Sequence, residues 1–309
     1  MTRVRIAAGI ALAFLAAPAL AAVAPDATTA WWVWPLALFF VCFALGVVAV
    51  PAGIGGGVLF VPIVGGFFPF DLDFVRGAGL LVALASSLAA GPTLLRTGLA
   101  DLRLALPLAL GASIGSVAGA LIGLALPPAF TQAALGAVIL GIVALMLLSR
   151  HAQSPAMPAA GRAWSSLLIG GSYLDRARDA QVAWAVHRIP AGTAAFAFNG
   201  LLGGMFGVGA GWANVPTLNL LMGAPLKIAV GTSAIILSLA SASAIWTYTN
   251  AGAVLPIVAA PAVIGMMLGA RIGAHLLAVL HANVIRRLVI VLLLFAGARS
   301  LAKGLGLWP

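Results

Sequence analysis

Carboxylates are scarce in this sequence. Only 6 of 309 residues are Asp or Glu, and charged residues of both signs make up 7%. A soluble domain carries about 25% charged residues, so most of the usual solvated surface is missing. That excludes a water-soluble enzyme, a DNA-binding domain and a disordered tail. Cys42 is the only cysteine, which excludes an intrachain disulfide, a Cys-based zinc site and a dithiol redox pair. Asp71, Asp73 and Asp101 all fall at loop positions between apolar runs. Neither a buried-carboxylate proton relay nor a midplane sodium site is therefore expected. No G-x-S-x-G-like turn meets a buried His, and H-E-x-x-H and Asp clusters are absent. The sequence thus points to no enzyme, no metal and no cofactor.

What the chain does have is apolar: 63% hydrophobic residues and 37 glycines. Its 16 Lys and Arg give a net charge of +10. In a soluble protein this would suggest nucleic acid. Here the basic residues sit at the ends of apolar runs, as the positive-inside rule requires. The expected fold class is an all-α polytopic membrane protein whose partner is the lipid bilayer, with no nucleic acid.

Residues 1–24 carry Arg3 and Arg5, an apolar stretch and Ala19-Leu20-Ala21, and read as a signal peptide or a first transmembrane helix. Ten further apolar runs follow, at about 31–51, 54–69, 75–96, 102–126, 129–149, 190–208, 212–224, 228–248, 253–275 and 285–306. They form two regions, 31–149 and 190–306, separated by a polar loop at 150–189. That loop holds Arg150, Arg162, Arg176, Arg178 and Arg188 and is the strongest cytoplasmic marker. Trp164, Leu167, Leu168, Tyr173 and Trp184 suggest that part of it lies on the membrane surface.

The two regions repeat each other. Gly53-Ile54-Gly55-Gly56-Gly57 with Val61-Pro62 matches Gly207-Val208-Gly209-Ala210-Gly211 with Val215-Pro216, an offset of 154 from 53 to 207. The same offset pairs Gly46 with Gly200, Pro107 with Pro261, Gly111 with Gly265, Gly115 with Gly269 and Gly119 with Gly273. Between these blocks Gly79 matches Gly231, an offset of 152. With 150–189 inside, Arg96, Arg103, Lys227, Arg271, Arg286 and Arg287 also fall inside, and Asp71 and Asp73 outside. This requires five segments per half, an odd number that gives the two homologous repeats inverted orientations. A rival count of four per half places Arg271, Arg286 and Arg287 outside.

Two of the ten runs are too short to span. At 1.5 Å per residue, 212–224 reaches about 20 Å against a hydrocarbon core of about 30 Å. Run 54–69 is barely longer and contains Pro62. Each repeat therefore has a glycine-hinged broken helix pair at membrane depth, where only protein or a wet cavity can satisfy the backbone. A half-helix beginning there directs free N–H groups and its positive dipole end into the cavity, which suits an anion. The spacing at Gly111/Gly115/Gly119 and Gly265/Gly269/Gly273 reads instead as close helix packing.

At these residues the chain resembles the TauE/SafE sulfite exporter family, also called TSUP. The resemblance rests on Gly200-Leu201-Leu202-Gly203-Gly204-Met205-Phe206-Gly207-Val208-Gly209-Ala210-Gly211 followed by Val215-Pro216. Ala229-Val230-Gly231-Thr232-Ser233 and the late Gly265/Gly269/Gly273 series with Arg271 add to it. It covers about 35–305. It implies a permease moving sulfite, organosulfonates or related sulfur-containing or carboxylate anions across the bacterial inner membrane, usually outward. Ala210 interrupts the glycine run, and Gly79-Leu80-Leu81 stands where the second half has Gly231-Thr232-Ser233.

Buried donors beside the hinges are the candidate substrate ligands. They are Gly55, Gly56, Gly57 and Ser86 in the first half, with Asn199, Gly209, Gly211, Asn214, Thr217, Thr232, Ser233 and Ser238 in the second. Arg271, near the inner end of its span, is the gate candidate, while Arg76 and Arg96 are expected to snorkel to headgroups. A metabolite exporter of the drug/metabolite-transporter type and a non-transporting membrane scaffold are the alternative readings.

Overall fold

Proline, glycine and aspartate set where the apolar runs become helices. Asp101 caps α4 (Leu102–Ala125), its carboxylate accepting from the Leu104 N–H at 2.9 Å. Pro128 and Pro256 open α5 (Pro128–Leu148) and α9 (Pro256–Leu276), where a missing N–H costs nothing. Gly207, at φ 69°, ends α6 (Ile189–Phe206) in the left-handed conformation. The remaining helices are α1 (Val33–Ala52), α2 (Gly56–Phe67), α3 (Leu72–Arg96), α7 (Gly211–Pro216), α8 (Leu226–Asn250) and α10 (Ala282–Gly304). The computed structural model describes residues 32–52, 55–96, 98–148, 169–175, 180–276 and 282–307. The segment 1–24, Gly53, Ile54, Trp164, Leu167 and Leu168 lie outside them.

Each of the ten apolar runs has a helical counterpart, and the protein is a predominantly helical, multi-pass membrane protein. Among the described residues, five helices (α3, α4, α6, α8 and α9) are long and apolar enough to cross a bilayer. Others are short. The 12 residues of α2 rise about 18 Å. The 6 residues of α7 run through Pro216, which has no N–H to donate, into a π-helical turn, Thr217–Leu221.

The loop between the halves differs from expectation. It contains an antiparallel hairpin, β1 (Ile169–Asp175) and β2 (Ala180–Val186), with Ile169 opposite Val186. Trp184 and Val186, two residues apart on one face, are buried against Leu104, Leu108, Leu218 and Met222. The membrane-surface reading of Trp184 is thereby corrected: its indole belongs to the protein core. Strand alternation exposes Ala183 and Ala185 instead.

Glycine lets the helices approach to backbone contact. Along α4, a Cβ at Gly111 would lie 3.0 Å from Thr193, one at Gly115 would strike the Ala197 carbonyl, and one at Gly119 the Leu201 carbonyl. All three partners are on α6. Along α9, Gly265 and Gly269 meet the Phe39 and Phe43 carbonyls of α1, while Gly46 of α1 would place a Cβ 2.6 Å from the Met266 oxygen. Each seam joins one half of the chain to the other. Gly115→Ala is expected to cost about 1–3 kcal/mol, because the opposing atom is backbone and cannot rotate away. Gly141→Ala, which meets nothing within 4 Å, is the control and should show no loss. Thermal unfolding in detergent compares the two.

Candidate functional site

The two glycine hinges meet between α3 and α8, near the midpoint of both helices. Gly55, at φ 76°, leads into α2 and has the Leu237 side chain 3.2 Å from its Cβ position. Gly209, at φ 68°, has the same Leu237 at 2.8 Å, Ala83 of α3 at 3.1 Å and the Ser241 hydroxyl at 3.7 Å. Leu237 and Ser241 are one turn apart on α8 and so share a face. The hinges also touch directly: a Cβ at Gly57 would lie 2.6 Å from the Val208 carbonyl oxygen and 2.9 Å from that of Gly79. Only glycine permits this crossing.

Around it the polar groups fall into two kinds. Ser86 donates to the Ala83 carbonyl at 2.9 Å and accepts from the Gly56 N–H at 3.3 Å, fixing the start of α2 against α3. That start carries the positive end of the α2 dipole and N–H groups without intrahelical partners. Others have no protein partner. Asn214 is wholly buried, yet neither its Nδ2 nor its Oδ1 is bonded. The Ser241 hydroxyl is 1% exposed and unbonded, and the half-buried Trp212 has an unbonded Nε1. Apart from Arg76, every buried polar side chain among the described residues is an amide or a hydroxyl. Such groups orient anionic oxygens without a fixed opposite charge to trap them.

The family model described as sulfite exporter TauE/SafE matches residues 38–300. The chain belongs to that family. The match takes in both hinges and the ten described helices in whole or in part, and it makes the chain a member of a membrane transporter family. No curated protein and no solved structure matches it.

The other predicted residues of this TauE/SafE protein divide by location. Asn199 of α6 donates to the Thr217 hydroxyl at 3.1 Å, and Thr217 donates to the Ala213 carbonyl at 2.8 Å, so both pin the π turn to α6. Gly211 is buried at the start of α7. Thr232 is fully buried and accepts from the Asp101 N–H at 3.2 Å, which ties the loop before α4 to α8. Ser233 is buried beside it, and Ser238 bonds the Ile235 carbonyl at 2.8 Å. Arg271 stands apart from the hinge crossing. It is exposed on the face of α9 that also carries Ile264, Leu268 and Ile272.

Two residues escaped the sequence reading. Ser241 lies in the small-residue run Ala240-Ser241-Ala242-Ser243, and its one signal was the four-residue step from Leu237. Arg76, expected to snorkel, is 1% exposed. It pairs with Asp73 and donates to the Gly123 and Met205 carbonyls at 2.9 and 3.1 Å. Thr232→Val should cost about 1 kcal/mol of stability through the lost bond while flux stays within about twofold of wild type. Parallel melting and vesicle flux measurements test this. A flux collapse would return Thr232 to the substrate site.

Proposed function

We propose that this protein is a secondary carrier of small anions that works by alternating access around its two glycine hinges. Family membership supports sulfite, organosulfonates or related sulfur-containing or carboxylate anions as substrates, moved outward across a bacterial inner membrane. The two halves, 31–149 and 190–306, act as inverted repeats. The substrate is held where the start of α2 and the second hinge meet α3 and α8, by Gly55, Gly56, Gly57, Gly209 and Ser241, with Asn214 behind them on α7.

One observation carries the reading: Asn214 is wholly buried with both amide atoms unpaired. An unsatisfied buried amide costs about 1–3 kcal/mol, a cost that the oxygens of a bound anion would relieve. Paired broken helices at matching positions also mark substrate sites in inverted-repeat carriers. The scarcity of buried acids supports an anion as cargo, since no carboxylate at the hinges would repel it.

A thermal-shift screen of the purified protein against sulfite, sulfoacetate, taurine, thiosulfate and simple carboxylates tests the proposal. A ligand present at 100 times its Kd should stabilise the folded state by about 2.7 kcal/mol. A flat response to every anion, joined to absence of flux in vesicles, would sink the carrier reading in favour of a membrane scaffold.

A further inference from the structure

Five residues of α3 lie at steps of three and four: Asp73, Arg76, Gly79, Ala83 and Ser86. They therefore share one face. The inner three of them reach the hinge crossing, since Ala83 packs on Gly209, Ser86 bonds Gly56, and a Cβ at Gly79 would lie 2.5 Å from the Gly207 carbonyl oxygen. The outer two form an ion pair. Asp73 is partly open, with 42% of its side chain exposed, and Arg76 beneath it is 1% exposed. The pair thus lies between the hinge crossing and the membrane surface on which α3 begins.

Arg76 also gathers three other helix ends. It donates to Gly123 near the end of α4 and to Met205 near the end of α6, where helix carbonyls lack intrahelical donors and the dipole favours a cation. Its guanidinium lies 6.0 Å from the Tyr248 ring, near the end of α8, and the Tyr248 hydroxyl donates to the Gly204 carbonyl of α6 at 3.0 Å. Gly207 of the second hinge rests on the Arg76 backbone itself. The matching position in the other half, at the 152-residue offset, is Ile228, which is buried and apolar. Toward the opposite surface, Gly231 of α8 packs on Leu99, and Thr232 accepts from the Asp101 N–H.

We propose that Asp73 and Arg76 form an ionic latch that closes the path from the hinge site to the surface on which Asp73 lies, the outer surface by the distribution of basic residues. A passing anion takes the place of the Asp73 carboxylate and draws the guanidinium away from the Gly123 and Met205 carbonyls, which releases the ends of α4 and α6 from α3. Arg76 is then a positioning residue for the second hinge. The latch rests on the hinge-site reading of function, and the experiment below separates the two.

Cys42→Ala makes the chain cysteine-free, and Ser241→Cys then places one thiol at the hinge crossing. The full-length protein is reconstituted in vesicles and labelled from each side with a membrane-impermeant maleimide. The latch predicts slow labelling from the Asp73 side, and a rise of roughly tenfold or more from that side alone on adding Asp73→Asn, since the buried Arg76 then lacks the carboxylate that neutralises it. Asp73→Glu should keep labelling slow. Tyr248→Phe, which keeps the ring and loses the bond to α6, should raise it by a smaller factor, and it decides the matter if Asp73→Asn does not accumulate. Unchanged labelling in both variants, or an equal rise from both sides, overturns the latch. Sulfite added during labelling distinguishes the other reading: failure to protect the thiol counts against the hinge site, whatever the Asp73 variants do.

Discussion

Replacing Asn214 by leucine is expected to stabilise this protein and to silence it. The two side chains are close in volume, so the substitution leaves little cavity and little overpacking. Leucine removes two buried polar atoms that have no partner, a relief of about 1–3 kcal/mol. The same change deletes the donor and acceptor proposed to meet the substrate, and the flux should fall by roughly 10- to 100-fold, as loss of one or two hydrogen bonds to a charged ligand implies. Higher melting temperature with lower flux is a combination that a purely structural asparagine cannot give. Wild-type flux from Asn214→Leu in vesicles, with normal insertion, would remove Asn214 from the site.

Gly209→Val should be more damaging. Gly209 sits at φ 68°, a region that a β-branched residue enters only at a cost of about 1–3 kcal/mol. Its new Cβ would lie 2.8 Å from Leu237 and 3.1 Å from Ala83, so Leu237 must move. Because Leu237 also packs on Gly55, the strain passes from the second hinge to the first. Displacing donors by about 1 Å costs on the order of 100-fold where alignment governs turnover, and flux should fall by at least that factor. Gly252→Val is the matched control. It has φ 69° with nothing within 4 Å of the Cβ position, so it pays the backbone cost alone and should transport. Leu237→Ala introduced beside Gly209→Val should recover part of the flux. No recovery, with a folded double variant, would mean that the hinges are not coupled through Leu237.

Much of this architecture was legible because the signals are local. Length and apolarity located the described helices, and proline and glycine marked where α2 and α7 are cut short, since each acts on the backbone of its own segment. The step of four at Gly111, Gly115 and Gly119 announced close packing for the same reason. What the sequence could not supply was the partner. Nothing in α4 alone says that its glycines face Ala197 and Leu201 rather than a helix of their own half. The same limit explains Arg76. A guanidinium one turn inside a span can turn toward headgroups or toward the ends of other helices, and only those ends, 47 and 129 residues away, decide. Trp184 failed similarly, because an aromatic in a basic loop fits a membrane surface until a hairpin alternates it inward. The hinge glycines, Ser86 and Asn214, proposed here as site residues, were singled out by proximity to the breaks. Thr232 and Arg271 satisfied the same rule of polar residues in apolar spans, but were placed elsewhere by packing.

The two glycine seams have a mechanical consequence. Where α4 meets α6 and α9 meets α1, backbone lies on backbone, leaving few rotamers to rearrange and no slack to absorb a shift. Each pair is therefore stiff, and each unites a helix from the first half with one from the second. Under the alternating access proposed above, the moving parts are thus not the two halves written in the sequence. They are two composite blades, each pairing a helix of one half with a helix of the other, like the blades of a pair of shears.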